Sequence, residues 1–214
     1  MRKILDGMTS TMNAVNPPRM TALRELHEAE TGPFSILIGT ILSARTKDET
    51  TTKTVKVLFS KYKTAKALAN AKVKDIEKII KSIGFYHVKS KRIIEVAKII
   101  DKKYKGKVPD DLDTLVKLPG VGRKTANCVL VYAYEKPAIP VDIHVHRISN
   151  RLGLVDTKNP EETEQELMKK VQKKYWLDIN DTFVMYGQNI CKPISPMCDV
   201  CKIKKSCKYY KSKI

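Results

Sequence analysis

The sequence of 214 residues contains no long hydrophobic run. Its longest apolar stretch, Phe34 to Leu42, is about half the length that a membrane-spanning helix needs. The first residues lack the apolar core and the small-residue cleavage pattern of a secretion signal. We therefore expect no membrane partner, and a protein that works in the reducing cytoplasm.

The sequence also lacks the signals of β-structure. No alternating strand of useful length occurs, and no Asn-Gly or Asp-Gly lies between two such strands to mark a tight hairpin. Apolar residues recur instead at intervals of three and four, as in helices. Clear examples are Ile76, Ile79, Ile80 and Ile83, and then Ile93, Val96, Ala97 and Ile100. These patterns predict an all-α protein of about ten helices, with a break at residues 137–140.

Acidic residues are few compared with basic residues. There are 41 Lys and Arg against 23 Asp and Glu, which gives a formal net charge of +18. Such an excess opposes compaction through self-repulsion, and it is typical of proteins that bind a polyanion. The charge alone favours a nucleic-acid partner over a neutral ligand.

Cysteine is scarce and confined almost entirely to one place. Four of the five cysteines lie in the last 24 residues, at the spacing C-x6-C-x2-C-x5-C: Cys191, Cys198, Cys201 and Cys207. Disulfides are rare in a reducing compartment, so a metal site is the better interpretation. Both zinc and a [4Fe-4S] cluster take four thiolates, and the wide outer gaps favour the cluster. Cys128 lies within an apolar helical pattern and is expected to be a small core residue.

The segment with the cysteines is basic, with seven Lys and one Asp from residue 191 onwards. Part of this positive charge offsets the negative charge of the thiolates, and the remainder leaves the segment with a net positive charge. We expect Lys202 and Lys204 to contact phosphate, although a solvated charged surface would explain them as well.

A second motif, LPGVGRKTA, begins at Leu118. Apolar helical patterns precede it at residues 112–117 and follow it at residues 125–134, so it predicts a helix-hairpin-helix. Glycines let the backbone approach a phosphate oxygen, and the N-terminus of the second helix attracts anions. The expected phosphate-contacting residues are Gly120, Val121, Gly122, Arg123 and Thr125.

Lys124 lies in the same turn and has chemistry of its own. The neighbouring Arg123 and the positive end of the helix both favour the neutral amine, which is a nucleophile able to form a Schiff base. Asp142 follows eighteen residues later, past the proline break. Its carboxylate is suited to take a proton from that amine or to stabilise a sugar cation, and equally to cap a helix.

Together these motifs resemble the endonuclease III class of DNA glycosylases in the helix-hairpin-helix-GPD superfamily. The resemblance rests on LPGVGRKTAN, on VDIHVHRISNR, on the cysteine spacing and on LIGTILSARTKD from Leu37. It covers roughly residues 30–207. The resemblance implies a six-helix barrel at about residues 29–137, with the hairpin at about 112–134. It also implies a second domain, built from residues 1–28 and 138–214, that carries a [4Fe-4S] cluster.

The same resemblance implies an activity. By position, Lys124 and Asp142 correspond to the catalytic lysine and aspartate of the family, whose members bind duplex DNA containing damaged pyrimidines or abasic sites. The implied enzyme is a bifunctional DNA glycosylase and AP lyase of base excision repair, a monomer associated with the nucleoid. Arg45 and Phe85 match positions that fill the gap left by a flipped base, although a place in the core would explain Phe85 equally well. Carbonyl groups near Leu118 and Val121 match those that hold a monovalent cation.

Two other functions are compatible with parts of the pattern. One is a mismatch glycosylase that removes uracil or thymine opposite guanine, although relatives that only remove bases carry Ser or Tyr in place of Lys124. The other is a non-catalytic DNA-binding protein whose end is stabilised by zinc. The latter predicts a colourless protein that forms no covalent adduct with DNA.

Overall fold

A computed structural model gives the fold of residues 1–15 and 20–213, to which every structural statement below refers. In chain order the helices are α1 (Arg2–Val15), α2 (Ala22–Glu28), α3 (Pro33–Ser43), α4 (Asp48–Lys61), α5 (Ala65–Ala69), α6 (Val73–Ile79), α7 (Tyr86–Tyr104), α8 (Leu112–Leu115), α9 (Arg123–Tyr134), α10 (Ile143–Leu152), α11 (Pro160–Lys170), α12 (Trp176–Asn189) and α13 (Lys208–Lys211). Two 3₁₀ segments lie at Lys173–Tyr175 and Lys204–Ser206, and the described residues contain no strand. The all-α prediction is confirmed, with more and shorter helices than expected. None of the described helices combines the length and apolar character needed to cross a bilayer.

The chain divides into two compact units. We call residues 22–136 the hairpin unit, and the described parts of 1–21 and 137–214 the cysteine unit. The division after residue 136 coincides with the predicted proline break. At the other boundary, the sequence assigned residues 22–28 to the segment that accompanies the cysteines. In the structure, α2 instead packs against α3, α4 and α9 of the hairpin unit.

The centre of the hairpin unit is α3. Every residue from Ser35 to Leu42 is buried, as expected of a helix that is apolar on all faces. Its neighbours are α2, α4, α7 and α9. Close packing against α2 requires Gly39, since a Cβ atom there would lie 2.6 Å from Cδ1 of Leu26. The helix ends at Ser43, and the chain then reaches the surface at Ala44 and Arg45.

The cysteine unit has its own core around α12, which packs against α1 and α10. Met8, Val145 and Phe183 are among the side chains buried there. The short C-terminal α13 packs on α10. This arrangement places Asp142 at the start of α10 and the first of the four clustered cysteines just beyond the end of α12.

Candidate functional site

The predicted hairpin is present between α8 and α9. Its turn is held by backbone hydrogen bonds from Leu118 N to Leu115 O and from Val121 N to Leu118 O, both at 3.0 Å. Gly120 has a φ of +72°, a left-handed conformation that favours glycine. A Cβ atom at Gly120 would also collide with the side chain of Arg92, at 2.1 Å from its Cδ. The turn is thus defined by its own backbone and by this one glycine.

The second helix of the hairpin begins two residues earlier than the sequence predicted. Gly122 is the N-cap of α9, with φ −86° and ψ 175°, and it supplies no side-chain cap. The first four N–H groups of an α-helix have no carbonyl partner within the helix. Arg123, Lys124 and Thr125 occupy this first turn, with Lys124 half-buried and Arg123 exposed. A helix N-terminus therefore lies at the turn, as the motif predicts, and such an end is the kind of site that anions favour.

Asp142 is the N-cap of α10. Its Oδ1 accepts hydrogen bonds from the backbone N–H groups of His144 and Val145, both at 2.9 Å. The capping role that the sequence considered for this residue is therefore confirmed, and it orients the carboxylate firmly. The next residue, Ile143, is an exposed apolar side chain.

Arg45 and Phe85, predicted to fill the gap left by a flipped base, lie together in the hairpin unit. The guanidinium carbon of Arg45 is 5.6 Å from the centroid of the Phe85 ring, within the range of a cation–π contact. Arg45 is exposed, and Phe85 keeps 62% of its surface accessible. Both residues have left-handed backbone conformations, with φ values of +55° and +59°. The structure therefore pairs two residues that are 40 positions apart in the sequence.

The four clustered cysteines line one cavity in the cysteine unit. Apolar residues, including Ile148, Ile190 and Ile203, contribute to its lining. No disulfide joins any of the cysteines. Burial, and then the neighbouring thiols of the other three, raise the pKa of Cys198. Among the described residues, no three His, Cys, Asp or Glu side chains close on a point suited to a single metal ion.

The donor set of this cavity fits a group bound by four thiolates. Tyr186 donates a hydrogen bond from its hydroxyl to Sγ of Cys201 at 2.9 Å, and burial raises the pKa of this tyrosine, which keeps it a donor. Arg151 donates from Nη1 to Sγ of Cys191 at 3.4 Å. The same guanidinium bonds the carbonyls of Lys192 and Pro193 at 2.7 and 2.8 Å. Donors to sulfur favour thiolates, which a cationic metal centre requires.

The two lysines predicted to contact phosphate are hydrogen-bonded within the cysteine unit. Lys202 is exposed, and its Nζ bonds Oγ of Ser10 at 2.7 Å. Nζ of Lys204 bonds the carbonyl of Asp199 at 2.9 Å. Each ammonium has three N–H donors, so either lysine can keep this hydrogen bond and still contact phosphate. Cys128 lies in α9 and is fully buried, which confirms its predicted place in the core.

Sequence reasoning missed Lys89, a lysine buried in the hairpin unit, close to the residues around Arg45 that follow α3. It lies on the apolar stripe of α7, four residues before Ile93 and seven before Val96. That position on the stripe was the available signal. A lysine is usually taken to be solvent-exposed, so the apolar pattern was traced only from Ile93 onwards.

Comparison with known proteins decides the family. Residues 38–173 match the model of the HhH-GPD superfamily base excision DNA repair proteins. Endonuclease III of Thermotoga maritima is 52% identical over 182 residues, which cover 85% of this chain and 85% of the relative. The chain belongs to the endonuclease III family. A second member of this family, from Escherichia coli K12, is 35% identical over 196 residues, or 89% of this chain and 93% of the relative.

Solved structures related to the endonuclease III family give the same fold. A trapped covalent intermediate of endonuclease III with DNA, in an estranged-adenine complex, matches with a TM-score of 0.83 and 36% identity, covering 99% of this chain and 96% of that one. A thermostable thymine-DNA glycosylase matches with a TM-score of 0.85 and 26% identity, at the same coverages. The chain thus shares its fold with endonuclease III and with a thymine-DNA glycosylase.

Proposed function

We propose that this protein is a bifunctional DNA glycosylase and AP lyase of base excision repair. It removes oxidised pyrimidines from duplex DNA and then cleaves the strand at the resulting site. The observation that carries the proposal is the lysine at position 124, in the first turn of α9, in a chain that belongs to the endonuclease III family. A primary amine at this position supports Schiff-base chemistry, whereas a hydroxyl there would support base removal alone.

In the proposed reaction, the enzyme first flips the damaged nucleotide out of the duplex, at a cost that is lowest for a weakly paired base. Nζ of Lys124 attacks C1′, the bond from C1′ to the base breaks, and the base leaves with its electron pair and gains a proton. Opening of the sugar ring breaks the C1′–O4′ bond and gives a protonated Schiff base. This cation acidifies the 2′ hydrogen, so β-elimination breaks the C3′–O3′ bond and cuts the strand on the 3′ side.

We assign Asp142 the acid–base and electrostatic role in these steps. Its carboxylate takes a proton from the ammonium of Lys124 or stabilises the positive charge that develops on the sugar. Support comes from the N-cap bonds, which fix Oδ1 and leave the second oxygen, Oδ2, as the base. A carboxylate held in this way loses little conformational freedom when the substrate arrives.

The hairpin is the proposed phosphate clamp. The backbone N–H groups of Gly120 and of residues 122–125 would bind the phosphate, and Arg123 would add charge to the contact. The carbonyls of Leu118 and Val121 are the proposed ligands of a monovalent cation. The Leu118 carbonyl already accepts the Val121 N–H, so one lone pair is left for the ion.

Base removal is tested by trapping the Schiff base. The wild-type protein is incubated with a duplex containing thymine glycol, and borohydride is added to reduce the imine to a stable amine. We expect a covalent protein–DNA band that the Lys124→Gln variant lacks and that the Lys98→Gln variant retains. Lys98 is an exposed lysine on α7 and serves as the matched control. A band of equal intensity from Lys124→Gln would refute the assignment of the nucleophile.

A mismatch glycosylase is the second candidate, and the structural match to a thymine-DNA glycosylase favours it. It predicts release of uracil or thymine opposite guanine with little strand cleavage. Lys124 argues for the bifunctional enzyme, because simple base-removing relatives carry Ser or Tyr there. Release of the mispaired base in preference to thymine glycol, without a trapped band, would select the second candidate.

We further propose that Cys191, Cys198, Cys201 and Cys207 bind a [4Fe-4S] cluster. The four thiols around one cavity, with donors to two of the sulfurs, support this proposal. The cluster would supply a rigid link among the four cysteines, and Lys202 and Lys204 would then contact DNA phosphate from the fixed segment.

The cluster is tested by colour and by metal content. We expect protein purified without oxygen to be brown and to contain about four iron atoms per chain. The Cys198→Ala variant should lose both iron and visible absorption, while Cys128→Ala, which removes a buried thiol outside the cavity, should retain them. A colourless wild type containing one zinc ion would identify the simpler metal site.

A base excision repair enzyme acts on chromosomal DNA, so we also propose that this protein is associated with the nucleoid. We propose that it acts as a monomer.

A further inference from the structure

Arg45 and Phe85 are held in a conformation that neither residue prefers. Left-handed φ values are disfavoured for side chains with a Cβ atom, and here two such residues contact each other. Conformations of this kind persist only where the surrounding structure imposes them, and they concentrate at functional sites. The structure around the pair must therefore supply the stabilisation.

Lys89 supplies contacts to the segment that carries Arg45. The side chain is only 5% exposed, and its Nζ donates to the carbonyls of Leu42 at 2.8 Å and Ala44 at 2.5 Å. A longer contact of 3.4 Å reaches Oγ1 of Thr46. The ammonium thus bonds residues on both sides of the end of α3. Burial, with a contribution from Arg92, lowers the pKa of Lys89 to about 8, so the side chain is still mainly charged at neutral pH.

The same residue also contacts the segment that carries Phe85. The backbone N–H of Lys89 donates to the carbonyl of Phe85 at 3.0 Å and closes the first turn of α7. The two segments are joined again by Gly84, whose N–H donates to Oγ1 of Thr46 at 3.2 Å. A Cβ atom at Gly84 would lie 2.8 Å from the carbonyl oxygen of Arg45, so the two backbones approach as closely as glycine allows.

We propose that Lys89 is a positioning residue that holds Arg45 and Phe85 ready to enter the space vacated by the flipped nucleotide. The proposal deepens the glycosylase function and rests on it. A simpler role is to neutralise the carbonyls at the C-terminus of α3, as lysines often do. Helix capping alone would affect stability and every substrate alike, whereas positioning affects only steps that need the inserted pair.

The expected consequence of removing the ammonium is selective. In Lys89→Met, the carbonyls of Leu42 and Ala44 lose their donor, and Arg45 is released from the left-handed conformation. Flipping of a base that still stacks and pairs is then no longer assisted by insertion of Arg45 and Phe85. We expect a fall of about tenfold or more in the single-turnover rate on a thymine glycol duplex. A preformed abasic site has no base to extrude, and the lyase rate there should fall less than about threefold.

The decisive experiment is a double-mutant cycle. The Lys89→Met change is made in the wild-type chain and in a chain that already carries Arg45→Ala and Phe85→Ala. If Lys89 acts through the pair, its effect on thymine glycol release disappears in the second background. Lys98→Met on the exposed face of α7 is the control, and Lys89→Arg, which keeps the charge and the donors, should restore part of the rate.

A binding measurement separates positioning from chemistry. The probe is a duplex with 2-aminopurine opposite a tetrahydrofuran abasic analogue, which cannot react with the amine. Insertion of the pair should unstack the 2-aminopurine and raise its fluorescence at saturating enzyme, and Lys89→Met should reduce that rise. Where Lys89→Met fails to accumulate as folded protein, Thr46→Val removes the neighbouring acceptor and is expected to give the same selective pattern at smaller amplitude.

An equal loss from Lys89→Met in both backgrounds, or equal losses on thymine glycol and on abasic DNA, would overturn the positioning role. An unchanged 2-aminopurine signal would do the same. Failure of the underlying function has a different signature, because wild-type enzyme would then release no thymine glycol and form no borohydride adduct.

Discussion

The two helices that carry the proposed catalytic residues begin in opposite ways. Helix α9 starts at a glycine that has no side chain to cap it, and Lys124 lies in its first turn. Helix α10 starts at Asp142, whose own carboxylate bonds the N–H groups of His144 and Val145. The first helix end has no side-chain cap, while the other is capped by a carboxylate of the protein.

This difference shows how a helix N-terminus is adapted to its task. Asp is among the best N-cap residues, and glycine is nearly as acceptable when the end must stay accessible. The cap also fixes Asp142, because the two bonds end on Oδ1 and set the plane of the carboxylate. At α9, an acceptor in the N-cap position would compete with a DNA phosphate for the same N–H groups.

Substitution of Asp142 tests whether one carboxylate serves two purposes, and it should have the larger effect. Asn retains the capping oxygen but not the charge, and Ala retains neither. We expect both variants to lose about 100-fold or more in the single-turnover rate. Only Asp142→Ala should also lose about 1 kcal/mol in the free energy of unfolding. Rates come from thymine glycol release and stabilities from thermal denaturation.

The N-cap of α11 provides a matched control for that experiment. Asn159 accepts a hydrogen bond from the N–H of Glu162 through its side chain, as an ordinary cap does. Asn159→Ala should lower stability by a similar amount and leave the rate unchanged. If Asp142→Asn proved as active as the wild type, the cap would be the whole role of Asp142.

Introduction of an N-cap side chain at Gly122 should have a smaller effect. It should change the affinity for duplex DNA rather than the rate of the chemical steps. A Cβ atom there meets no atom within 4 Å, and the backbone is extended, so a serine fits. Its hydroxyl would accept from the N–H of Thr125. We expect Gly122→Ser to be slightly more stable than the wild type and to bind duplex DNA about three- to tenfold more weakly.

Gly122→Ala separates the cap from the added bulk. Alanine brings the same Cβ atom without an acceptor, so its DNA affinity, measured by fluorescence anisotropy at one salt concentration, should stay closer to the wild type. Equal weakening by Ser and Ala would show that the space above Gly122, rather than its N–H groups, is what DNA requires.

The sequence predicted the hairpin well because the requirement is local. Pro119, Gly120 and Gly122 specify the turn whatever surrounds it, and apolar residues at helical spacing predict a helix on each side. Asp142 was ambiguous for an equally physical reason, since capping and acid–base chemistry both ask for a carboxylate. The structure confirms the cap, and the catalytic role of Asp142 stays a prediction.

What the sequence did not predict depends on distant contacts. The resemblance assigned Arg45 and Phe85 the same role, but only the folded chain shows that the guanidinium lies over the ring. Lys89 was missed because its acceptors, the carbonyls of Leu42 and Ala44, belong to the backbone and carry no residue signature. The resemblance also grouped residues 22–28 with the cysteine-bearing domain, whereas α2 packs against α3, α4 and α9.

The burial of α3 on every side has a consequence for biosynthesis. Its partners range from α2, immediately before it, to α9, some eighty residues after it in the chain. During translation, α3, the most apolar segment of the protein, is therefore made long before α9, its last packing partner, emerges from the ribosome. Until then the nascent chain exposes an apolar helix, and we expect chaperones to bind it. We also expect chains truncated within residues 22–136 to aggregate.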